Sequence, residues 1–202
     1  MEQFLAVALV HFLALLIPGV DFFLITRTAM SSGWRNATGT CLGIAVANGI
    51  FIATAFSGLA LISHPVVLNS IQVAGGAFLI YIGTAFVRSK ERSGPDEQTL
   101  MERATWARNF GLGLASGLLN PKNALFYLSL AATLTQASPL RLVAYGVWMF
   151  SVVLAWDIFV AVALGTKRAP AALVFWISKA AGAFLVLFGM GMIGTMVLRW
   201  WN

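Results

Sequence analysis

Six continuous apolar stretches, each about 20 residues long, dominate this sequence of 202 residues. The composition is 59% hydrophobic and only 10% charged, whereas a soluble domain carries roughly 25% charged residues. Inside a bilayer every backbone N–H and C=O group needs a partner, so only helices or a closed barrel can cross it. Barrel strands would alternate in polarity over about 10 residues, and these stretches do not. The sequence therefore predicts an all-α membrane protein with six transmembrane helices.

The apolar segments cover about residues 4–25, 39–62, 66–87, 110–133, 142–165 and 173–198. Residues 88–109 form the longest connection and mix both charge signs, as a solvated linker does. We expect one transmembrane domain over 1–202, with a first three-helix unit over 1–87, a cytoplasmic linker over 88–109 and a second unit over 110–202. A regulatory role for the linker is a further alternative.

Basic residues are distributed unevenly among the connections. Nine lie after the first, third and fifth segments, and only Arg141 and Arg199 lie on the opposite side. Because basic residues favour the cytoplasmic side, both termini are predicted to be periplasmic. The first base is Arg27, so the basic start of a secretory signal peptide is missing and we expect the first segment to be retained. Placement of basic residues on the cytoplasmic side explains the net charge of +6. The sequence has no basic patch interleaved with aromatic residues of the kind that binds nucleic acid.

Two of the apolar segments contain a proline followed by an ionisable residue. Pro18-Gly19-Val20-Asp21 interrupts the first segment, and Asn120-Pro121-Lys122 interrupts the fourth, about half the chain further on. Proline removes a backbone hydrogen bond and breaks a helix. Three helices per unit also reverse the direction in which the second unit enters the membrane. We therefore expect two inverted three-helix repeats, with helices 1 and 4 broken at proline, as in many secondary transporters.

Four ionisable residues remain in or near the hydrocarbon once the connections are set aside: Asp21, Lys122, Asp157 and Lys179. A charge at the membrane centre costs roughly 2.5–3.5 kcal/mol, so such residues are typical of substrate or ion pathways. A carboxylate, an ammonium and the partial charges of broken helix ends could together hold a zwitterion such as an amino acid.

Each of these residues also has a plainer interpretation. Asp21 could be solvated near the cytoplasmic end of its segment, or could pair with Arg27. Asp157 could form a structural ion pair with Lys122. Lys179 could extend to the cytoplasmic surface.

Uncharged polar residues in the same segments could line a pocket or join helices by hydrogen bonds; they are His11, Asn48, Asn120, Asn123 and Tyr127. His11 lies seven positions before Pro18 and could relay protons or serve only in packing.

Enzyme chemistry has little support in the sequence. The chain has two histidines and one cysteine, with no cluster at metal-ligand spacing, and it has no P-loop. The stretch around Ser116 lacks the G-x-S-x-G spacing of a nucleophile elbow. We therefore predict no catalytic residue, no metal and no cofactor. Cys41 is expected to be a packing residue. Two functions other than transport stay open from the sequence: a membrane scaffold subunit, and an intramembrane enzyme that uses Ser116.

Glycines at helical spacing predict close contacts between helices. They are Gly39-xxx-Gly43, Gly113-xxx-Gly117, Gly75-Gly76 and the series Gly189, Gly191 and Gly194. The same surfaces could join two copies of the chain, so a homodimer is one expectation.

The two interrupted stretches resemble the signatures of one transporter family. Pro18-Gly19-Val20-Asp21-Phe22 is similar to the Pro-Gly-Pro-Asp signature at the end of the first span of the LysE/RhtB amino-acid exporters. Asn120-Pro121-Lys122-Asn123-Ala124 is similar to their Asn-Pro-Lys-x-Ala signature in the fourth span. The order, the length and the charged central loop agree over essentially the whole chain.

This resemblance implies a bacterial inner-membrane exporter of amino acids coupled to protons, and the run 11–16 looks like the threonine and homoserine branch. The implied partners are an amino acid, protons and the lipid bilayer, with no nucleic acid. The alternative is export of a basic amino acid, another small solute or a cation on the same architecture.

The expected substrate-binding or coupling residues follow from two arguments. Pro18, Gly19, Asp21, Asn120, Pro121 and Lys122 come from the family signatures, and Asp157 comes from the cost of its burial in a membrane. We hypothesise that Lys122 and a nearby helix end hold the substrate carboxylate, while Asp21 or Asp157 binds its ammonium or the proton. Val20 stands where the family has a second proline, so we expect a softer break, with the effect on activity or substrate choice open.

Overall fold

The structure, a computed structural model, describes residues 2–16, 18–57, 65–88, 105–134, 136–165 and 171–201. Within these ranges the chain is entirely helical apart from short turns, which confirms the prediction of an all-α protein. The helices are α1 (Glu2–Leu16), α2 (Val20–Ser32), α3 (Trp34–Phe56), α4 (Pro65–Val87), α5 (Trp106–Leu118), α6 (Pro121–Thr133), α7 (Pro139–Gly165) and α8 (Ala171–Trp201). Most of the predicted linker, 89–104, lies outside the described residues.

The helices follow the predicted apolar segments, with differences of a few residues at several ends. α4 and α7 match their segments to within three residues. α3 begins five residues before its segment, at Trp34, since a helix can continue into the polar interface where the apolar pattern has stopped. The predicted linker is likewise shorter than expected on one side, because α5 already begins at Trp106.

The described chain is that of a multi-pass membrane protein. α3, α4, α7 and α8 are each long and apolar enough to cross a membrane, and α1 with α2 forms a fifth candidate span that is bent by 57°. α5 and α6 have 13 residues each, or roughly 20 Å, so neither crosses about 30 Å of hydrocarbon alone. By length and composition, four or five spans are therefore seen in the described residues, against the six predicted.

The two helix breaks arise from local sequence. α1 ends at Leu16, and α2 begins after Gly19, whose extended backbone (φ −135°, ψ −164°) is the N-cap. α6 begins at Pro121, the first helical position, where proline is favoured because that N–H has no intrahelical partner. The Asn120 side chain caps α6 by accepting a 3.1 Å hydrogen bond from the backbone N–H of Lys122.

Glycines bring α3 and α5 into direct backbone contact, as predicted. A Cβ atom added at Gly113 would lie 2.9 Å from the Cα of Thr40, and one added at Gly117 would lie 2.5 Å from the Cβ of Ala47. Gly39 meets the Trp106 carbonyl in the same way. Since residue numbers rise together along both helices, α3 and α5 are parallel.

α4 and α8 pack closely in the opposite sense. A Cβ atom added at Gly83 would lie 2.7 Å from the carbonyl oxygen of Gly182, and one added at Gly182 would lie 2.7 Å from that of Gly83. Gly76 faces Gly189 about two turns further along. Rising numbers on α4 meet falling numbers on α8, so the helices are antiparallel.

Two glycines of the predicted series on α8 do not form such a contact. An atom added at Gly191 or Gly194 would have nothing within 4 Å in the described part of the chain. With 3.6 residues per turn, both positions are rotated away from the face of Gly189 that meets α4. The expectation of close packing was therefore wrong at these two positions.

Cys41 packs in an apolar cluster and Lys179 binds a helix end. Cys41 is fully buried with Ile25, Ile44 and Val153 in one apolar cluster, as its predicted packing role requires. The ammonium of Lys179 donates to the carbonyl of Val87, the last residue of α4. Lys179 therefore stabilises a helix end and is not part of the site described next.

Candidate functional site

The two helix breaks meet at the carboxylate of Asp21. Asp21 lies in the first turn of α2 and accepts hydrogen bonds from Ser116 Oγ at 2.8 Å, Asn120 Nδ2 at 3.4 Å and Asn123 Nδ2 at 3.3 Å. These donors lie before, at and after the break between α5 and α6. A side chain of the first break is therefore held by three side chains of the second.

Lys122 makes the return contact. Its ammonium donates a 3.2 Å hydrogen bond to the carbonyl of Ala14, in the last turn of α1. Carbonyl groups in the last turn of a helix have no intrahelical partner and carry partial negative charge. The acid of the first break thus binds the second break, and the base of the second break binds the first.

A cavity of about 70 Å³ lies beside this junction, among α1, α2, α3, α6 and α7. A single water needs roughly 10–15 Å³ on this measure, so the cavity has room for several waters or a small solute. Its polar lining residues are His11, Asp21, Asn48, Asn120, Lys122, Asn123, Tyr127 and Asp157. Apolar groups such as Phe22, Ile44 and Trp156 complete the wall.

Asp157 differs from Asp21 in its hydrogen bonding. It lies within α7 and is only 6% exposed, yet its buried Oδ2 atom has no hydrogen-bond partner among the described residues. No ion pair joins it to Lys122. An unsatisfied buried polar group costs about 1–3 kcal/mol, and more when it is charged. The cavity therefore contains an acid that needs a cation, a proton or a donor.

His11 is also buried against the cavity. It is 1% exposed, its Nε2 atom lies 3.3 Å from the Tyr127 hydroxyl, and its Nδ1 atom has no partner in the part of the chain that the structure describes. The rings of Phe126, Tyr127 and Trp148 surround the imidazole at centroid distances of 5.8, 6.1 and 5.7 Å. These contacts fix the ring in place.

The cavity brings together most of the residues predicted from sequence. Gly19, Asp21, Asn120, Lys122 and Asp157 line it. The two predicted prolines, Pro18 and Pro121, do not line it. Pro121 is the first residue of α6, and Pro18 lies between α1 and α2, directly before the N-cap Gly19.

Sequence reasoning missed the role of Ser116. Its Oγ donates to Asp21, whereas the sequence suggested it only as the nucleophile of a rival enzyme. Its position four residues before Asn120, close to the predicted break, was a usable signal.

Comparison with known proteins points to one family. Residues 12–195 match the family described as LysE type translocator. The chain is 32% identical over 201 residues to the threonine efflux protein of Escherichia coli (strain K12), covering 94% of this chain and 97% of that protein. It is 30% identical over 202 residues to the threonine efflux protein of Salmonella typhimurium, covering 96% and 98%. It is 28% identical over 187 residues to the uncharacterized membrane protein YahN of Escherichia coli (strain K12), covering 87% and 82%. No solved structure matches the chain.

Proposed function

The chain belongs to the LysE type translocator family, and on this premise we propose that it exports a small neutral amino acid, similar to threonine or homoserine, in exchange for protons. The family confirms the prediction of a transport protein and not an enzyme. Two relatives that it matches over nearly their whole length are named threonine efflux proteins. We place the chain in the bacterial inner membrane, with both termini in the periplasm because of the distribution of its basic residues.

One observation carries this proposal: one small cavity is lined by Asp157, whose buried Oδ2 atom has no hydrogen-bond partner among the described residues, and by a base, Lys122. A zwitterionic amino acid has one ammonium and one carboxylate, so its charges complement these two side chains. The cavity volume of about 70 Å³ suits a compact substrate.

Asp157 is the proposed ligand for the substrate ammonium, and a proton takes the same place when the substrate has left. Only one cation can occupy the carboxylate at a time, which links export of the substrate to entry of a proton. Asp21 has three donors already and is proposed to position the two helix breaks.

The substrate carboxylate is proposed to bind Lys122 and the N-terminus of α2. Within the described residues no side chain caps that N-terminus, and a Cβ atom added at Gly19 would meet nothing within 4 Å. The backbone N–H groups of Asp21 and Phe22 are therefore available, and a helix N-terminus favours an anion. The N-terminus of α6 is less suitable because the Asn120 side chain already caps it.

Helix directions support the proposal of six spans in two inverted halves. α5 and α6 together have enough length for a broken fourth span, corresponding to α1 with α2. If consecutive spans alternate in direction, α3 should be parallel to α5 and antiparallel to α7, and α4 should be antiparallel to α8. The glycine contacts described above show the expected directions for α3 with α5 and for α4 with α8. For α7, Gly49 lies against Phe150 and Gly146 lies against Ile52, so α3 and α7 are antiparallel, as expected.

The reciprocal contacts of Asp21 and Lys122 suggest how such halves could alternate. Each joins the broken helix of one half to that of the other. We propose that binding of the substrate carboxylate draws Lys122 away from the Ala14 carbonyl, which releases one of these contacts and allows the halves to rock.

Energetics permit useful export. Entry of one proton contributes about 2.3 kcal/mol per 100 mV of membrane potential. Since about 1.4 kcal/mol corresponds to a tenfold ratio, exchange of one proton for one zwitterion could sustain a gradient of about 50-fold per 100 mV.

The test is uptake of radiolabelled amino acids into inverted membrane vesicles with an imposed proton gradient. We expect threonine or homoserine to accumulate, and accumulation to be lost in Asp157→Asn and Lys122→Ala. Lys179→Ala is the matched control, since that lysine contacts a helix end outside the cavity. Gradient-driven uptake of arginine or lysine alone would favour the alternative of a basic substrate. No gradient-driven uptake from a broad panel, with normal protein abundance, would contradict the proposal.

A further inference from the structure

Asp157 and Lys122 are proposed to bind the ammonium and the carboxylate of the substrate. Its side chain must therefore be recognised by other residues. The other polar residues that line the cavity include three asparagines whose amides already donate hydrogen bonds. Asn48 donates a 2.8 Å hydrogen bond to the Ile44 carbonyl, and Asn120 and Asn123 donate to Asp21. Among the described residues, the side chains of His11 and Tyr127 hydrogen-bond to each other, at 3.3 Å, and His11 Nδ1 has no partner. Resting on the proposed function, we infer that His11 and Tyr127 form a subsite for a hydroxyl group on the substrate side chain and so determine specificity.

The hydrogen-bonding capacity of this pair matches a hydroxyl in either tautomer of the histidine. If the Tyr127 hydroxyl donates to Nε2, then Nδ1–H is a free donor and the phenolic oxygen is a free acceptor. If Nε2–H donates to the phenolic oxygen, then the Tyr127 hydroxyl proton is the free donor and Nδ1 is the free acceptor. Either way one donor and one acceptor remain, and a hydroxyl group supplies one of each.

Burial makes these free positions selective. His11 and Tyr127 are 1% and 2% exposed, so the groups that they leave unpaired are removed from bulk water. Two buried side-chain atoms without a hydrogen-bond partner in the described residues, His11 Nδ1 and Asp157 Oδ2, belong to residues that line this one cavity. A site that hydrogen-bonds a substrate hydroxyl rejects an analogue without it, because its own polar groups are then left unpaired. The subsite should therefore prefer threonine over valine, which has nearly the same shape.

The experiment measures KM and maximal rate for threonine and for valine in the inverted vesicles. In wild type we expect the ratio of rate to KM to favour threonine by at least about tenfold. Tyr127→Phe removes only the hydroxyl and should lower this ratio to near one, mainly by raising KM for threonine and with a smaller effect on valine, which has no hydroxyl to bind. His11→Phe should do the same, and His11→Gln, which keeps a donor and an acceptor, should restore part of the preference.

Thr40→Val is the matched control. Thr40 is fully buried and its hydroxyl lacks a partner among the described residues, but it does not line the cavity. We expect this variant to keep the preference for threonine. Equal transport of threonine and valine by wild type would overturn the inference while leaving the proposed function intact. If both Tyr127→Phe and His11→Phe still preferred threonine over valine, the inference would be overturned too, since the pair would then not bind the substrate hydroxyl. Failure of wild type to transport any amino acid would instead contradict the proposed function.

Discussion

Ser116 donates a 2.8 Å hydrogen bond to Asp21, a residue 95 positions earlier in the chain, and thereby ties one broken helix to the other. This contact, with those of Asn120 and Asn123, fixes the acid that the first helix break exposes. Two separate interruptions of apolar helices thus become one polar junction beside the cavity.

Replacing Ser116 by alanine tests the importance of that junction. A hydrogen bond to a charged group contributes about 1.5–3 kcal/mol, so we expect Ser116→Ala to lower the thermal stability of the purified protein and to slow transport. Ser151→Ala is the control, because the Ser151 hydroxyl donates within its own helix, to the Val147 carbonyl one turn away, on an exposed face. Equal melting temperatures for the two variants would show that the Ser116 contact contributes little.

Asn120 has two roles that one substitution can separate. Asn120→Asp keeps an oxygen that caps α6, but it places a second carboxylate where an amide now lies 3.4 Å from an oxygen of Asp21. We expect a folded protein with strongly reduced transport, measured by size-exclusion chromatography and vesicle uptake. Asn36→Asp adds the same charge in the first turn of α3, where the Asn36 side chain donates to the Ser32 carbonyl and does not line the cavity, and this variant should transport normally. Normal transport by Asn120→Asp would show that donation to Asp21 is unnecessary.

Close approach of α3 and α5 is required to place the junction. Gly113→Ala would force a Cβ atom against the backbone of Thr40, and overpacking of this kind costs about 1–3 kcal/mol. Gly111→Ala, on the same helix, would place its Cβ atom more than 4 Å from every other group that the structure describes, apart from its own helix backbone and chain neighbours. We expect lower stability and lower transport in the first variant only, by thermal unfolding in detergent and by uptake. Matching behaviour of the two variants would contradict the packing described for these helices.

Val20→Pro should be tolerated. Val20 is the first residue of α2, where proline fits because its missing N–H has no intrahelical partner. The extended backbone of Gly19 also suits a residue that precedes proline. We expect unchanged KM and substrate preference, with a small loss of stability because the buried Val20 side chain is removed from its cluster. Loss of transport by a stable variant would show that the Val20 N–H or side chain takes part in function.

The sequence predicted the helices and the breaks because both depend on local chemistry. Apolar runs and prolines determine where a helix can cross a membrane and where it must stop. The partners of the polar residues depend on how helices rotate about their axes, which local chemistry does not specify. The sequence pattern therefore left open whether Asp157 pairs with Lys122. It also predicted a close helix contact at Gly191 as at Gly189. In the structure Asp157 Oδ2 has no partner among the described residues, and Gly191 faces open space.

Proton movement coupled to the amino acid tests the central claim most directly. Purified protein would be reconstituted in liposomes that contain a pH-sensitive dye, and threonine would be added outside without any imposed pH gradient. We expect threonine entry to drive protons out, so that the interior becomes alkaline with wild-type protein and not with Asp157→Asn. A threonine flux without any change of internal pH in wild type, or an unaltered pH change in Asp157→Asn, would contradict the account.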